Sequence, residues 1–329
     1  MQDLRARLLN IHCRDMSAYT TLLMQGSGSF VVESVIGSMM PQNGKLLVLS
    51  NGAYGDRIAK IASYLKIDTV IHRASETETT DLNKLEKELE NNPQITHVAV
   101  VHVETTTGII NPIEQVSEIV KKRGRLLFVD SMSGLGGIDM DIPGMDIDFI
   151  VSSANKCIQG VPGFGFAIVK KTEMEKCKGQ ARSYALDMYD QWINMENGNG
   201  KWRFTSPTHV VRAFYQALLE LEKEGGIKAR EKRYAENHRL LNEGIQALGF
   251  KNVIPKENQS HIITSYYIPH GFDFKAFYSE LKSKGFVIYP GKLTDAETFR
   301  IGNIGEIYST DIQLLLKIIK ESVLIKNLN

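Results

Sequence analysis

Cysteine is scarce in this 329-residue chain. Cys13, Cys157 and Cys177 are too few and too widely spaced for a disulfide framework or a CxxC-type zinc site, which points to a reducing compartment. Long apolar runs are missing as well: the longest, such as Val98 to Val101, have strand length, against the ~20 residues a membrane span needs. Charged residues and His12 interrupt the apolar positions of the N-terminal stretch, so no signal peptide is expected, and the expected location is the cytoplasm. Nor is one sign of charge in excess. Lys and Arg number 39 against 38 Asp and Glu, and without a like-charged block the chain carries no nucleic-acid footprint. Internal repeats and low-complexity segments are absent too. What remains is a 43% hydrophobic chain, long enough for one large domain and a smaller one, whose expected partner is a small molecule.

Between about residues 45 and 169, short apolar runs alternate with amphipathic helical stretches, the pattern of a mostly parallel sheet covered by helices on both faces. The runs are 46–49, 69–71, 97–103, 126–129, 149–151 and 164–169. One crossover helix follows Asn111 as N-cap, with Pro112 in its first turn and Ile113, Val116, Ile119 and Val120 on one face before Gly124. Another starts just after Gly26-Ser27-Gly28 and stops at Pro41. A helix over 210–221 ends at Gly225-Gly226. Beyond it, helices near 230–248, 274–284 and 311–324 and strands near 261–268, 286–289 and 298–301 predict a small α+β domain.

Lys156 sits just beyond the apolar strand 149–151, in a Ser, Asn and Gly-rich loop, where partial desolvation would make its amine nucleophilic. Asp130 closes the preceding apolar run 126–129, at the strand end where open α/β sheets bind ligands. Alone, the first reads as a surface lysine and the second as a turn or N-cap aspartate. Together, on neighbouring strand ends, they are the pair that pyridoxal phosphate (PLP) chemistry requires: an amine to form the imine and a carboxylate to keep the pyridine nitrogen protonated. Gly26, Ser27 and Gly28 precede an apolar helix and can bind a phosphate at its N-terminus. As a dinucleotide fingerprint they fail, because Val31 stands where glycine is needed, and this makes a nicotinamide dehydrogenase the weakest alternative. Tyr54 follows another strand end and can stack on a flat ring or simply pack. Thr105 lies in a strand-ending Thr-Thr-Thr-Gly stretch. Arg300, in an apolar and glycine-containing segment, needs an anion, either a substrate carboxylate or phosphonate or an internal acid. His102 and Glu104 alternate along a strand, but two ligands without a third make a poor metal site, and no metal is expected.

These residues resemble the class V aminotransferases of PLP fold type I, and within them the branch that acts on an aminophosphonate. The matching segments span nearly the whole chain: 23–28 (Leu-Met-Gln-Gly-Ser-Gly), 50–57, 104–112, 129–133 (Val-Asp-Ser-Met-Ser), 152–165, 186–191 (Leu-Asp-Met-Tyr-Asp-Gln) and 204–209 (Phe-Thr-Ser-Pro-Thr-His). The resemblance implies an α/β fold, with a mostly parallel large PLP-binding domain over residues 1–225 and a smaller α+β domain over 226–329. It implies catalytic roles for Lys156 and Asp130 and cofactor contacts from Gly26, Ser27, Gly28, Tyr54, Thr105 and Ser153. It also implies a homodimer in which Thr205 reaches the partner's cofactor phosphate, and binding of the substrate anion by Arg300. The implied reaction moves the amine of 2-aminoethylphosphonate to pyruvate, giving phosphonoacetaldehyde and alanine. Two alternatives stay open. One is the same fold acting on serine or alanine with glyoxylate or pyruvate, since Arg300 would hold a carboxylate as readily. The other is a catalytically silent dimer: family members open with a strand-like Thr-Pro-Gly-Pro segment and a helix ahead of the part matching 4–14, and that stretch is missing here.

Overall fold

The computed structural model describes residues 1–329 except Arg14, Lys292, Asp295 and residues 323–329. Aliphatic runs buried on both faces form its central strands, as a sheet sandwiched between helices requires. In chain order these are β1 (Tyr19–Gln25), β2 (Lys45–Ser50), β3 (Asp68–Arg73), β4 (Ile95–Val101), the short β5 (Val103–Glu104) and β6 (Ile109–Ile110), β7 (Leu126–Asp130), β8 (Phe149–Ser153) and β9 (Phe164–Lys170). Seven pair in the order β1-β9-β8-β7-β4-β2-β3. The block from β8 to β3 is parallel, and β9 runs antiparallel to both β8 and β1. The fold class is therefore α/β, with a mostly parallel sheet.

Alternate side chains along each strand go to opposite layers. In β4, Val98 and Val100 join one core while Ala99 and Val101 join the other. The first core is closed by α1 (Gln2–His12), α4 (Leu82–Asn91), α5 (Ile113–Lys122) and α8 (Thr208–Glu224), through residues such as Leu8, Leu85, Val116 and Phe214. The second is closed by α2 (Gly28–Met39), α3 (Ala53–Tyr64), α6 (Lys171–Lys176) and α7 (Met188–Asn197), through Val35, Ile58, Met174 and Trp192. Consecutive left-handed glycines, Gly225 and Gly226, turn the chain from α8 into α9 (Gly226–Ala247). Beyond them β10 (Ile263–Tyr267), β11 (Tyr289–Pro290) and β12 (Thr298–Gly302) form an antiparallel sheet in the order β10-β12-β11. Phe299 and Ile301 on one side of β12 pack against α9, α10 (Phe274–Ser283) and α11 (Ser309–Glu321) in a separate core. Arg300, between them, points the other way. Among the described residues no helix is long and apolar enough to cross a membrane.

The local differences from the sequence pattern have physical causes. The run 97–103 does not stay in one strand. The chain leaves the sheet at His102, whose N–H donates to the Asp130 carbonyl, and β5 then pairs with β6 in a hairpin of its own. Asn111 is not an N-cap. Its side-chain amide is buried, exchanging hydrogen bonds with Asn51 and donating to the Val101 carbonyl, which leaves Pro112 in the cap position. The strand near 286–289 shrinks to Tyr289–Pro290, and β1 carries no alternating pattern because both its faces are covered. The closing helix ends at Glu321, where Ser322 is its extended C-cap, short of the expected 324; residues 323 and 324 lie outside the described residues.

The hairpin tip touches the smaller domain. Gly108 has φ +89°, its carbonyl accepts from Ser260 N–H at 2.8 Å, and a Cβ there would collide with the Ile263 carbonyl oxygen. Only glycine fits both the angle and the space. Gly108→Ala is expected to lower unfolding free energy by about 1–3 kcal/mol. Urea unfolding of the variant against the parent measures this, and an unchanged midpoint would contradict the close approach.

Candidate active site

Six chain segments converge at the C-terminal edge of the parallel strands, where ligands of open α/β sheets bind. The turn after β1, the starts of α2 and α3, and the ends of β4, β7 and β8 enclose a cavity of ≈ 260 Å³ lined by Ser27, Gly28, Tyr54, Asp130, Ser153 and Lys156. Gly26 makes the first turn possible. Its φ is +112°, its N–H donates to the Gly163 carbonyl, and the Phe30 ring occupies the place of a side chain. Ser27 caps α2 without spending its hydroxyl on the helix, so that hydroxyl and the helix N-terminus face the cavity as an anion site. A Cβ on Gly28 would fall 2.5 Å from the Met132 sulfur, so the close approach of α2 to the loop after β7 needs glycine. Arg57 adds positive charge at the same end. Its guanidinium lies 4.8 Å from the Tyr54 ring centre, and Nη1 donates to Ser29 Oγ at 3.4 Å.

Asp130 ends β7 with its side chain in the cavity, 5% exposed. Oδ1 accepts the Met132 N–H at 3.0 Å, and Oδ2 has no protein donor among the described residues. Burial pushes its pKa up to about 6; the Met132 N–H opposes the rise, nearby Glu104 adds to it, and Arg57 works against it. Lys156 lies half-buried in the turn after β8. Among the described residues its amine has neither a hydrogen-bond nor an ion-pair partner, although it borders three cavities. The loop around it is held rigidly instead. Arg230, buried in α9 and paired with Glu224, donates to the Cys157 carbonyl at 2.9 Å, and Gln159 donates to the Tyr234 hydroxyl at 2.7 Å.

Next to the first cavity lies a second of ≈ 500 Å³, bounded by Tyr54, Thr105, Ser133 and Lys156 on one side and by Ile262, Ile263, Tyr289 and Arg300 on the other. Ile262, Ile263, Val287 and Pro290 supply its apolar lining, and Arg300 is 7% exposed. Arg300 Nη1 donates to the Thr105 carbonyl at 2.6 Å and Nε to the Pro290 carbonyl at 3.2 Å. No carboxylate pairs with it among the described residues, and burial lowers its pKa. Two neutral carbonyls orient the guanidinium without neutralising it, so the internal salt bridge is absent and the remaining N–H groups are left for a ligand anion.

Ser27, Gly28, Tyr54, Asp130, Ser153 and Lys156 thus share one cavity, and Thr105 and Arg300 the adjoining one. Gly26 does not line either; it supports the turn and borders a third, apolar cavity with Phe30, Trp202 and Phe204. Thr205 is exposed and outside these cavities. His102 and Glu104 do not converge: the ring bonds Ser131, the carboxylate faces Tyr54, and no group of metal-binding side chains occurs among the described residues. Sequence reasoning passed over Arg57, Met132, Ser133 and Asn155. Only Arg57 carries a signal, a cation one turn past a strand-end glycine.

PLP suits this arrangement. An unshared carboxylate oxygen, an unpartnered amine, a helix N-terminus and a flat tyrosine surround a cavity of ligand depth. The family model described as Aminotransferase class-V matches residues 15–298. A 2-aminoethylphosphonate–pyruvate transaminase of Bacillus cereus (strain ATCC 10987 / NRS 248) is 57% identical over 326 residues, covering 99% of this chain and 89% of that protein. One from Bacillus anthracis (strain CDC 684 / NRRL 3495) is 56% identical over the same length and shares. Among solved structures, alanine–glyoxylate aminotransferase from Nostoc sp. superposes with TM-score 0.89 at 23% identity, covering 100% of this chain and 86% of that one. Aspartate aminotransferase of subgroup IV from Thermus thermophilus gives 0.87 at 19% identity, covering 99% and 90%. These two share the fold. The family model and the relatives at 56–57% identity place this chain among the class V aminotransferases.

Proposed function

We propose that the chain is a PLP-dependent 2-aminoethylphosphonate–pyruvate transaminase, converting the phosphonate to phosphonoacetaldehyde and pyruvate to alanine. The observation that carries this is the unpaired, buried Arg300 one cavity away from the Lys156 and Asp130 pair. When bound, PLP supplies a carbonyl that captures amines and a ring that accepts the electron pair released at the amine-bearing carbon. The chain's residues do the rest. The start of α2, with Ser27, Gly28 and Arg57, would hold its phosphate, Tyr54 would pack against it, and Ser153 and Thr105 would offer it hydroxyls. Asp130 Oδ2 would accept a hydrogen bond from its ring nitrogen. Lys156 Nζ would be its attachment point, and the same amine would take the proton from the amine-bearing carbon of the substrate. Arg300 holds the phosphonate of one substrate and the carboxylate of the other in turn, and the apolar wall excludes water around them.

The same reading includes a cytoplasmic homodimer that needs neither nucleic acid nor membrane, with Thr205 serving the partner's phosphate site. Thr205 is exposed beside Phe204, and with Tyr184 and Phe30 nearby in the same surface region it belongs to an exposed aromatic patch of the kind that marks interfaces. The same reading divides the chain at 225/226; the glycine turn there and the separate core of residues 241–319 support it.

Lys156→Ala is expected to abolish the visible absorption band that PLP forms with the protein and to leave no borohydride-fixed cofactor; a band unchanged from the parent would refute the assignment. For Arg300→Ala, KM for both substrates should rise by about 10²-fold or more, the worth of a bidentate charged interaction in a buried site. Unchanged steady-state KM values would remove Arg300 from the site. Asp130 is testable through stability. In the cofactor-free protein its raised pKa means that the folded state binds more protons than the unfolded state between pH 3.8 and about 6. Stability from this group is therefore present in acid and lost as pH rises through about 6. Asp130→Asn should stabilise the cofactor-free protein above pH 6 by up to about 3 kcal/mol, and do nothing near pH 4, in parallel urea titrations. It should lower turnover of the loaded protein at the same time.

A further inference from the structure

Glu104 is fully buried at the end of β5 and takes no part in the chemistry described so far. Its carboxylate is spent on backbone. Oε2 accepts the Tyr54 N–H at 3.0 Å, while Oε1 accepts the Thr106 N–H at 3.2 Å and the Thr106 hydroxyl at 2.6 Å. Tyr54 lies in the first turn of α3, whose N-cap, Gly52, offers no side chain. Glu104 is therefore the cap of α3, delivered from another strand, with its negative charge at the positive end of the helix. The packing is built for it. A Cβ on Gly52 would stand 2.5 Å from Glu104 Cγ, so a self-capping residue at 52 and the carboxylate of Glu104 exclude one another.

The next residue, Thr105, gives its carbonyl to Arg300 Nη1. One dipeptide thus grips, through a side chain, the tyrosine that borders both cavities and, through the main chain, the guanidinium that marks the far wall of the second. Both ends of its hairpin are fastened: the Asn51–Asn111 amide pair ties the base to the loop after β2, and Gly108 ties the tip to Ser260. With those anchors fixed, the Glu104 bonds set where Tyr54 stands relative to Arg300.

We propose that Glu104 is a positioning residue for transamination, holding the Tyr54 surface and the Arg300 anion clamp at the separation that one substrate spans. This rests on the reading of Arg300 as the anion site given above. Glu104→Gln is the informative change. It keeps the shape but puts an amide NH₂ against either the Tyr54 N–H or the Thr106 donors, so one side of the grip must open. A shift of about 1 Å in a clamp costs on the order of 10²-fold in rate, so kcat/KM for the aminophosphonate should fall by that order.

The decisive measurement is binding rather than turnover: the affinity of methylphosphonate, which has the anion but no amine, read from the change it makes in the visible absorption of the loaded protein. Glu104→Gln should weaken it roughly tenfold, the equivalent of one charge-assisted hydrogen bond misplaced. Thr106→Val, which removes a donor but leaves the carboxylate, should weaken it in the same direction and supplies the test if the first variant does not fold. In the Arg300→Ala background, Glu104→Gln should change the affinity by less than about twofold, because it acts through Arg300. An additive loss, or an affinity for either folded variant equal to that of the parent, overturns the proposal while leaving Arg300 in place. If the parent's affinity itself ignores Arg300→Ala, the anion-site reading falls, and this proposal with it.

Discussion

Two buried charges that line the cavities without an ion-pair partner among the described residues govern this molecule: the Asp130 carboxylate and the Arg300 guanidinium. Each would be expensive in an apolar interior unless an opposite charge arrived. Each is oriented only by neutral backbone groups, an N–H in one case and two carbonyls in the other. A protein that buried them for stability would have paired them internally, as it does with Asp148, which takes Lys121 and Lys170. On the proposed reading the unpaired charges describe the ligands in negative image: a cationic ring nitrogen at Asp130, an anionic substrate head at Arg300, and the amine of Lys156 bordering both cavities.

The fold keeps those charges apart. The neighbouring parallel strands β7 and β8 deliver Asp130 at the end of one and Lys156 in the turn after the other, and α2 and α3 bring their N-termini to the same edge. Arg300 comes from a different sheet, on the side of β12 facing away from Phe299 and Ile301. Its position relative to Lys156 therefore depends on how the two sheets are joined. The joints are polar and buried. Arg230 and Tyr234 of α9 hold the Lys156 loop, the Tyr234 hydroxyl also accepts the Gly305 N–H, and Asn303 donates to the Tyr234 carbonyl. Such a directional network restricts the arrangement more narrowly than apolar packing alone.

Much of this is legible in the sequence, for a definite reason. Strands that bury both faces, such as β4 and β7, read as continuous apolar runs, and a polar residue closing such a run, as Asp130 does, stands out against it. The lysine after β8 and the glycines before α2 stand out likewise. Other features leave no such trace. Tyr19, Thr20 and Thr21 at its start hide β1, although every residue of it but Gln25 is buried. The step out of the sheet at His102 depends on a hydrogen bond to Asp130, 28 residues away, which no local pattern encodes. Asn111 looks like a helix cap because Asn before Pro commonly is one, and its true partners, Asn51 and Val101, are distant in sequence. Ser133 and Asn155 become cavity residues only once the loops that carry them have folded against α9 and the second sheet.

The geometry of Arg300 also bears on how one cavity handles two substrates in turn. A guanidinium locked by a buried carboxylate would present a fixed, half-neutralised face, and a phosphonate and a carboxylate would compete with that partner unequally. Held by carbonyls, it keeps its full charge while its Nε and Nη1 edges are occupied, so its orientation is set before any ligand enters. Either anion then meets the same pre-oriented donors. Around it, Ile262, Ile263 and Ile304 contribute apolar surface, and the other cationic side chain lining the same cavity is Lys156. On the proposed reading, exchange between donor and acceptor substrates follows from a clamp whose protein partners are neutral, and discrimination against larger anions is left to the distance between that clamp and Tyr54.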